Sequence, residues 1–275
     1  MNATGDKEEL LLLARAAASA KRAARQRLID RILLTVLLLG IWQGVVAVGW
    51  IHPFFISQPT KVIADIWTMV STGYIFRHFL ITLWEALAGF VAGSVLGIGL
   101  GFAAALSPRL ADALQPLIVA FDSMPRVAIA PLFIIWLGFG MSSKVMLAML
   151  VVFFPIFFNT FSGMRAVDPV LVSSVRVMGG SKFMVLWLVN LPSTMAWVFA
   201  AMKTAISAAL IGAVVGEFVG STAGIGWIMV QAAGTNDTTR LFSTMAVLSL
   251  VGSALFIGVR WAEDRVLKWR PRTET

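Results

Sequence analysis

The chain has 275 residues, of which 59% are hydrophobic and 13% charged, where soluble domains carry about 25% charged residues; its mean hydropathy is +0.86. Water is not its main solvent. Cysteine is absent, which excludes disulfides, thiolate metal sites and cysteine nucleophiles. The net charge of +8 is read through its placement around membrane spans rather than as a nucleic-acid footprint.

Residues 1–31 form a basic cytoplasmic tail, in which residues 8–27 read as a helix, acidic at its start and basic later, as a helix dipole prefers. Its leucine run and its Lys21, Arg22, Arg25 and Arg27 suit either the inner membrane surface or a solvated tail. Each span needs about 20 apolar residues. Uncharged runs at 32–51, 86–108, 127–143, 145–164, 193–216 (interrupted by Lys203) and 241–259 predict six transmembrane helices in an all-α domain covering 32–260, followed by a tail at 261–275. The second helix is expected to start near Phe79 and contain Glu85, and the third to start near Ala113 and include Asp122 and Arg126. Between the first two, Pro59 and Thr60 open a short amphipathic helix that Gly73 ends. With six crossings, 16 of the 22 basic residues fall on one side, which places both termini in the cytoplasm of a plasma (inner) membrane protein.

The longest inward loop, 165–192, carries an apolar stripe over Val170, Leu171, Val175 and Met178, a break at Gly179 and Gly180, and a second apolar run from Phe183. Two short helices around a glycine turn are expected, a knob suited to a groove on a partner. In the third span, Pro116, Pro125 and Pro131 leave backbone groups unpaired, which is tolerated at membrane depth only where it is buried in protein or lines a cavity. The segment 121–131 is therefore the first candidate for a pathway wall, with Phe121, Asp122, Met124, Pro125, Arg126 and Pro131 as its residues and Asn159 as a polar neighbour on the fourth span. Asp122 and Arg126, four apart, either neutralise each other or touch substrate. Glu85 is expected to pair with Lys203 or Arg77.

These features resemble the permease subunits of ABC importers. Those permeases carry a cytoplasmic loop of the form EAAxxxG, nine residues, then IxLP; here SSVRVMG at 173–179 is followed by nine residues and VNLP at 189–192. Ser173, Ser174 and Val175 stand where Glu, Ala, Ala are usual, so Ser173 either caps a helix or leaves a contact to the ATPase unmade. MPRVAIAPLFIIWLGFGMSSK at 124–144, FFPIFFNTFSGMRAVDP at 153–169 and ALIGAVVGEFVGSTAGIGWIM at 209–229 look like the nitrate, sulfonate and taurine branch.

The resemblance implies a type I importer fold in which two permease copies pair in the bilayer. Two ATPase subunits would dock through Ser173, Ser174, Arg176, Gly179, Gly180, Ser181, Leu191 and Pro192, and an extracytoplasmic binding protein would deliver substrate. Glu217, Gly220, Gly224 and Gly226 would belong to the outer gate. No GxxxxGK followed by Ser or Thr occurs, so ATP and Mg would be bound by the partner and this chain would hold no cofactor, metal or catalytic residue. The expected cargo is a small organic or inorganic anion such as nitrate, a sulfonate, taurine or an aromatic carboxylate, with a pyrimidine or other vitamin precursor as the alternative. A lone secondary transporter or channel would not need the docking loop, and an enzyme would need a converging catalytic set that is not visible.

Overall fold

The computed structural model describes the backbone of residues 3–52 and 54–268; among these, the side chains of residues 3–21, 24, 108, 115, 117–119 and 121–123 lie outside the description. All regular structure among the described residues is helical. Two compact units result, residues 1–64 and 65–275.

In the first unit, helix α1 runs unbroken over Ala3–Ala47. The predicted tail helix and first span are thus one element, because no proline or glycine interrupts residues 6–39. The surface placement expected for the tail rests largely on side chains outside the described residues. Helix α2, Pro59–Ser71, starts in this unit at the predicted proline and belongs to the second unit from residue 65 onward; Gln43 Oε1 accepts from the Thr60 amide at 3.4 Å and its hydroxyl at 3.2 Å.

The second unit is built on three long helices: α3, Tyr74–Leu106; α6, Met141–Arg165; and α9, Leu191–Gly220. What lets α3 and α6 approach is a glycine at every fourth position of α3, the small-residue stripe of membrane helix pairs. A Cβ at Gly89 would overlap that of Ala148, and one at Gly93, Gly97 or Gly101 would fall 2.7 Å from Met149 O, 2.9 Å from Phe153 O or 2.7 Å from Thr160 Cβ. The contacts advance together along both chains, so α3 and α6 are parallel. Gly212 and Gly216 of α9 meet Ala148 and Lys144 in descending order, so α9 runs antiparallel. Ala86, Phe90, Val152, Ile156, Ile206 and Ala209 fill the core between them.

The predicted third span is not one helix. Helix α4, Pro108–Ser123, stops at an extended Met124 (ψ 134°); a 3₁₀ turn follows at Arg126–Ile129, then α5, Ala130–Leu137. Pro125 excludes the helical conformation at Met124 and supplies no amide donor. As a result, among the described residues five helices rather than six are long and apolar enough to cross a membrane: 25–47 within α1, α3, α6, the 182–220 segment ending in α9, and α11, Thr238–Val266.

The loop after α6 folds as two short helices. Helix α7, Pro169–Val177, is capped by Asp168, whose Oδ1 accepts from Val170 N–H at 2.8 Å. Gly179 takes φ +82° and the Gly180 amide returns to Val175 O at 2.9 Å, closing the turn. Helix α8, Lys182–Val185, is capped by Ser181 and passes through a π turn, Leu186–Asn190, into α9 with Pro192 in its first turn. Helix α10, Ile225–Gly234, follows α9 after a tight return. Lys203 of α9 binds Glu263 of α11 at 2.7 Å. The antiparallel helices therefore place the α7–α8 knob and the end of α11 at one end of this unit, and the 220–225 turn at the other.

Candidate functional site

Three places in the second unit carry candidate chemistry. At the turn after α9, the amides that open α10 are buried, where unpaired donors are expensive. Each finds an acceptor on another element. Gly224 N–H donates to His78 Nδ1 at 3.0 Å, Ile225 N–H to Thr82 Oγ1 at 2.8 Å, and Gly226 N–H to Glu217 Oε2 at 2.5 Å. The Trp227 amide also reaches Glu217, and Thr82 Oγ1 donates to Glu217 Oε1 at 2.6 Å. Glu217 thus sits at the positive end of α10 with both oxygens bonded. The fit admits only glycine: Gly224 has φ +117° and a Cβ there would overlap the Glu217 carboxyl, while one at Gly226 would lie 2.7 Å from Oε2. Gly220 faces Phe139 at 2.5 Å from a would-be Cβ. Of the sequence-predicted cluster, Glu217, Gly224 and Gly226 are brought together here, while Gly220 packs against Phe139 and Ile134.

Glu85, also buried, lies close to Glu217 and Lys144. The expected pairing of Glu85 with Lys203 or Arg77 is corrected: Lys203 is held by Glu263 and Arg77 lines another cavity. Lys144, placed by sequence in an outer loop, is buried, its Nζ donating to Phe139 O at 3.0 Å and Gly140 O at 3.2 Å. Sequence reasoning missed His78, Thr82 and Lys144. The signal existed for the first two, since residues 78, 82 and 85 are polar at helical spacing within one span.

The second place is the break in the third element. Met124 and Arg126 line a cavity of about 390 Å³ whose far wall is Leu147, Val151, Gly212 and Val215 of α6 and α9. The Arg126 guanidinium lies 5.3 Å from the centre of the Phe154 ring. Pro125 makes the break itself and Pro131 opens α5. Phe121 and Asp122 end α4, and their side chains lie outside the described residues, as does any Asp122–Arg126 pair. Asn159 turns its amide onto its own helix, donating to Pro155 O at 2.8 Å.

Third, the α7–α8 knob exposes Val170, Leu171, Val177 and Met178, an apolar patch ahead of the 182–220 segment, continued by exposed Phe183 and Trp187 at the start of that segment. Ser173 is no cap: its hydroxyl donates to Pro169 O at 2.8 Å, as that of Ser174 does to Val170 O. Both lie inside α7, where the free hydroxyl reaches the preceding turn. Arg176 stands in the last turn of α7, while Gly179, Gly180 and Ser181 form the link to α8.

A core of three long apolar helices, a broken third element and an exposed helical knob at one end are features of a membrane-embedded protein. Residues 93–268 match the family described as binding-protein-dependent transport system inner membrane component. The chain belongs to that family, and it is a multi-pass membrane protein. A putative aliphatic sulfonates transport permease protein of Bacillus subtilis is 30% identical over 87% of this chain and 87% of that protein. The riboflavin transport system permease protein of Chloroflexus aurantiacus is 33% identical over 85% and 87%. Among solved structures, an inward-facing form of the MetNI methionine ABC transporter aligns with TM-score 0.60 at 18% identity, over 72% of this chain and 96% of that one, which establishes the fold.

Proposed function

We propose that the chain is one of two identical membrane subunits of an ATP-driven importer, crossing the inner membrane six times with both termini in the cytoplasm. The sixth crossing is the broken α4–α5 element, and the distribution of basic residues sets the orientation. ATP and Mg are bound by two separate ATPase subunits, and an extracytoplasmic binding protein delivers the cargo. The observation that carries this reading is the α7–Gly179–α8 knob, whose exposed Val177, Met178 and Phe183 offer an apolar plug for a soluble partner.

The cargo is a small anion that passes Arg126, the basic residue in the cavity beside the helix break. The sulfonate permease among the relatives supports that cargo. A vitamin or vitamin precursor is the second reading, favoured by the riboflavin permease at similar identity. Cysteine placed at Ser181 should cross-link to the ATPase in membranes that still transport. Failure at Ser181 and at neighbouring positions, with uptake intact, removes the docking role. Uptake of labelled taurine against labelled riboflavin, each with the cognate binding protein, decides the cargo.

A further inference from the structure

Neither the turn nor the Arg126 cavity accounts for a recess of about 640 Å³ at the junction of α2, α3 and α11. Its polar wall comes from Thr68, Thr72, Tyr74, Arg77, His78 and Arg240. Two guanidinium groups therefore face one space. Arg240 is fixed in place: its Nη2 binds Asp65 Oδ1 at 2.8 Å and its guanidinium lies 5.7 Å from the centre of the Tyr74 ring. Asp65 occupies only part of the fork, and the Arg240 Nε–H is buried without an acceptor among the described residues. The second oxygen of Asp65, Oδ2, is likewise buried without a hydrogen bond among the described residues. Arg77 is exposed and makes no ion pair among the described residues, so Asp65 offsets only one of the two positive charges.

We propose that this recess binds the oxyanion head of a small organic anion, a sulfonate or carboxylate, between Arg77 and Arg240. Planar guanidinium forks match the paired oxygens of such groups, and the threonine hydroxyls and tyrosine ring give room for a short organic tail. The recess lies at the end of the unit opposite the α7–α8 knob, the end that faces outward in the proposed orientation, and it shares a side chain with the turn. His78 lines it while its Nδ1 holds the Gly224 amide and its ring stacks on Trp227 at 5.3 Å. An anion in the recess thus sits one imidazole away from the residues that fix the start of α10. Its biological ligand rests on the anion-importer reading; the binding itself does not.

The test uses the assembled permease–ATPase complex in phosphatidylcholine nanodiscs, without binding protein, and follows trifluoromethanesulfonate by ¹⁹F NMR. Saturable binding is expected, weakened about tenfold or more in Arg77→Gln by loss of a charged hydrogen bond. Arg77→Lys is expected to retain part of it and Arg109→Gln, which does not line the recess, to leave it unchanged. Among the described residues Arg77 has no ion-pair partner whose loss would unfold the protein, so the comparison holds even if Arg240→Gln does not assemble. Binding that is absent, unaffected by Arg77→Gln, or lost instead in Arg109→Gln overturns the assignment. Loss of binding on replacing the lipid with phosphatidylglycerol that persists in high salt, where surface repulsion is screened, gives the recess to a lipid headgroup and overturns the small-anion assignment. The anion-importer reading fails separately: a complex that binds trifluoromethanesulfonate through Arg77 yet imports only riboflavin keeps the recess and loses that cargo.

Discussion

Thr82 is the residue on which the α10 turn depends most directly, because one hydroxyl accepts the Ile225 amide and donates to Glu217. Thr82→Val keeps the shape and removes both bonds, leaving a buried amide unpaired. Stability should fall by about 1–3 kcal/mol, read as a lower melting midpoint of the purified protein, whereas Thr82→Ser should stay near the wild type. An unchanged midpoint in Thr82→Val would mean that the turn is held otherwise. At Arg126 the expectations concern uptake: Arg126→Ala should reduce it without loss of assembly, and Arg126→Lys should recover part by keeping the charge without the planar fork. The double variant Asp122→Asn with Arg126→Gln separates transport from charge balance. Restored folding with uptake still lost is the expected result; restored uptake would make Arg126 structural.

At the scale of elements, the glycine stripe on α3 sets how closely α3 and α6 pack. Gly97→Leu would drive a side chain into Phe153 O, which lies 2.9 Å from a Cβ at that position. Overpacking of this kind costs about 1–3 kcal/mol or more, so the folded yield in membranes should drop. Gly99→Leu, where nothing lies within 4 Å of the added Cβ, should be tolerated and serves as the control.

The helical class and the two short helices around the turn at Gly179 were legible in the sequence, because each is written in local spacing and turn chemistry, and the grouping of Glu217, Gly224 and Gly226 came from the family resemblance. Two features were not legible. An uncharged run does not reveal that Pro125 cuts the third span into separate helices, since hydropathy is blind to the missing amide. The partners of Glu85 could not be read either. Residues 85 and 217 meet only because the glycine contacts bring α3, α6 and α9 together, and such meetings between distant segments leave no trace in spacing.

Over the whole molecule, the antiparallel run of α9 against α6 and α11 puts the knob at one end and the α10 turn at the other, the layout needed if a cytoplasmic motor is to move an outer gate. Reporter fusions should place both termini in the cytoplasm and residues 220–240 outside, and an external C-terminus would reverse the orientation. The most direct measurement is uptake in proteoliposomes holding this chain, its ATPase and its binding protein. Accumulation of labelled substrate should require ATP inside the ATPase-facing compartment. It should also be lost in Gly179→Val, because φ +82° strains a β-branched residue and displaces α8, while the isolated ATPase still hydrolyses ATP. Accumulation without the ATPase, or normal uptake by Gly179→Val at matched membrane levels, would contradict a permease driven through this knob.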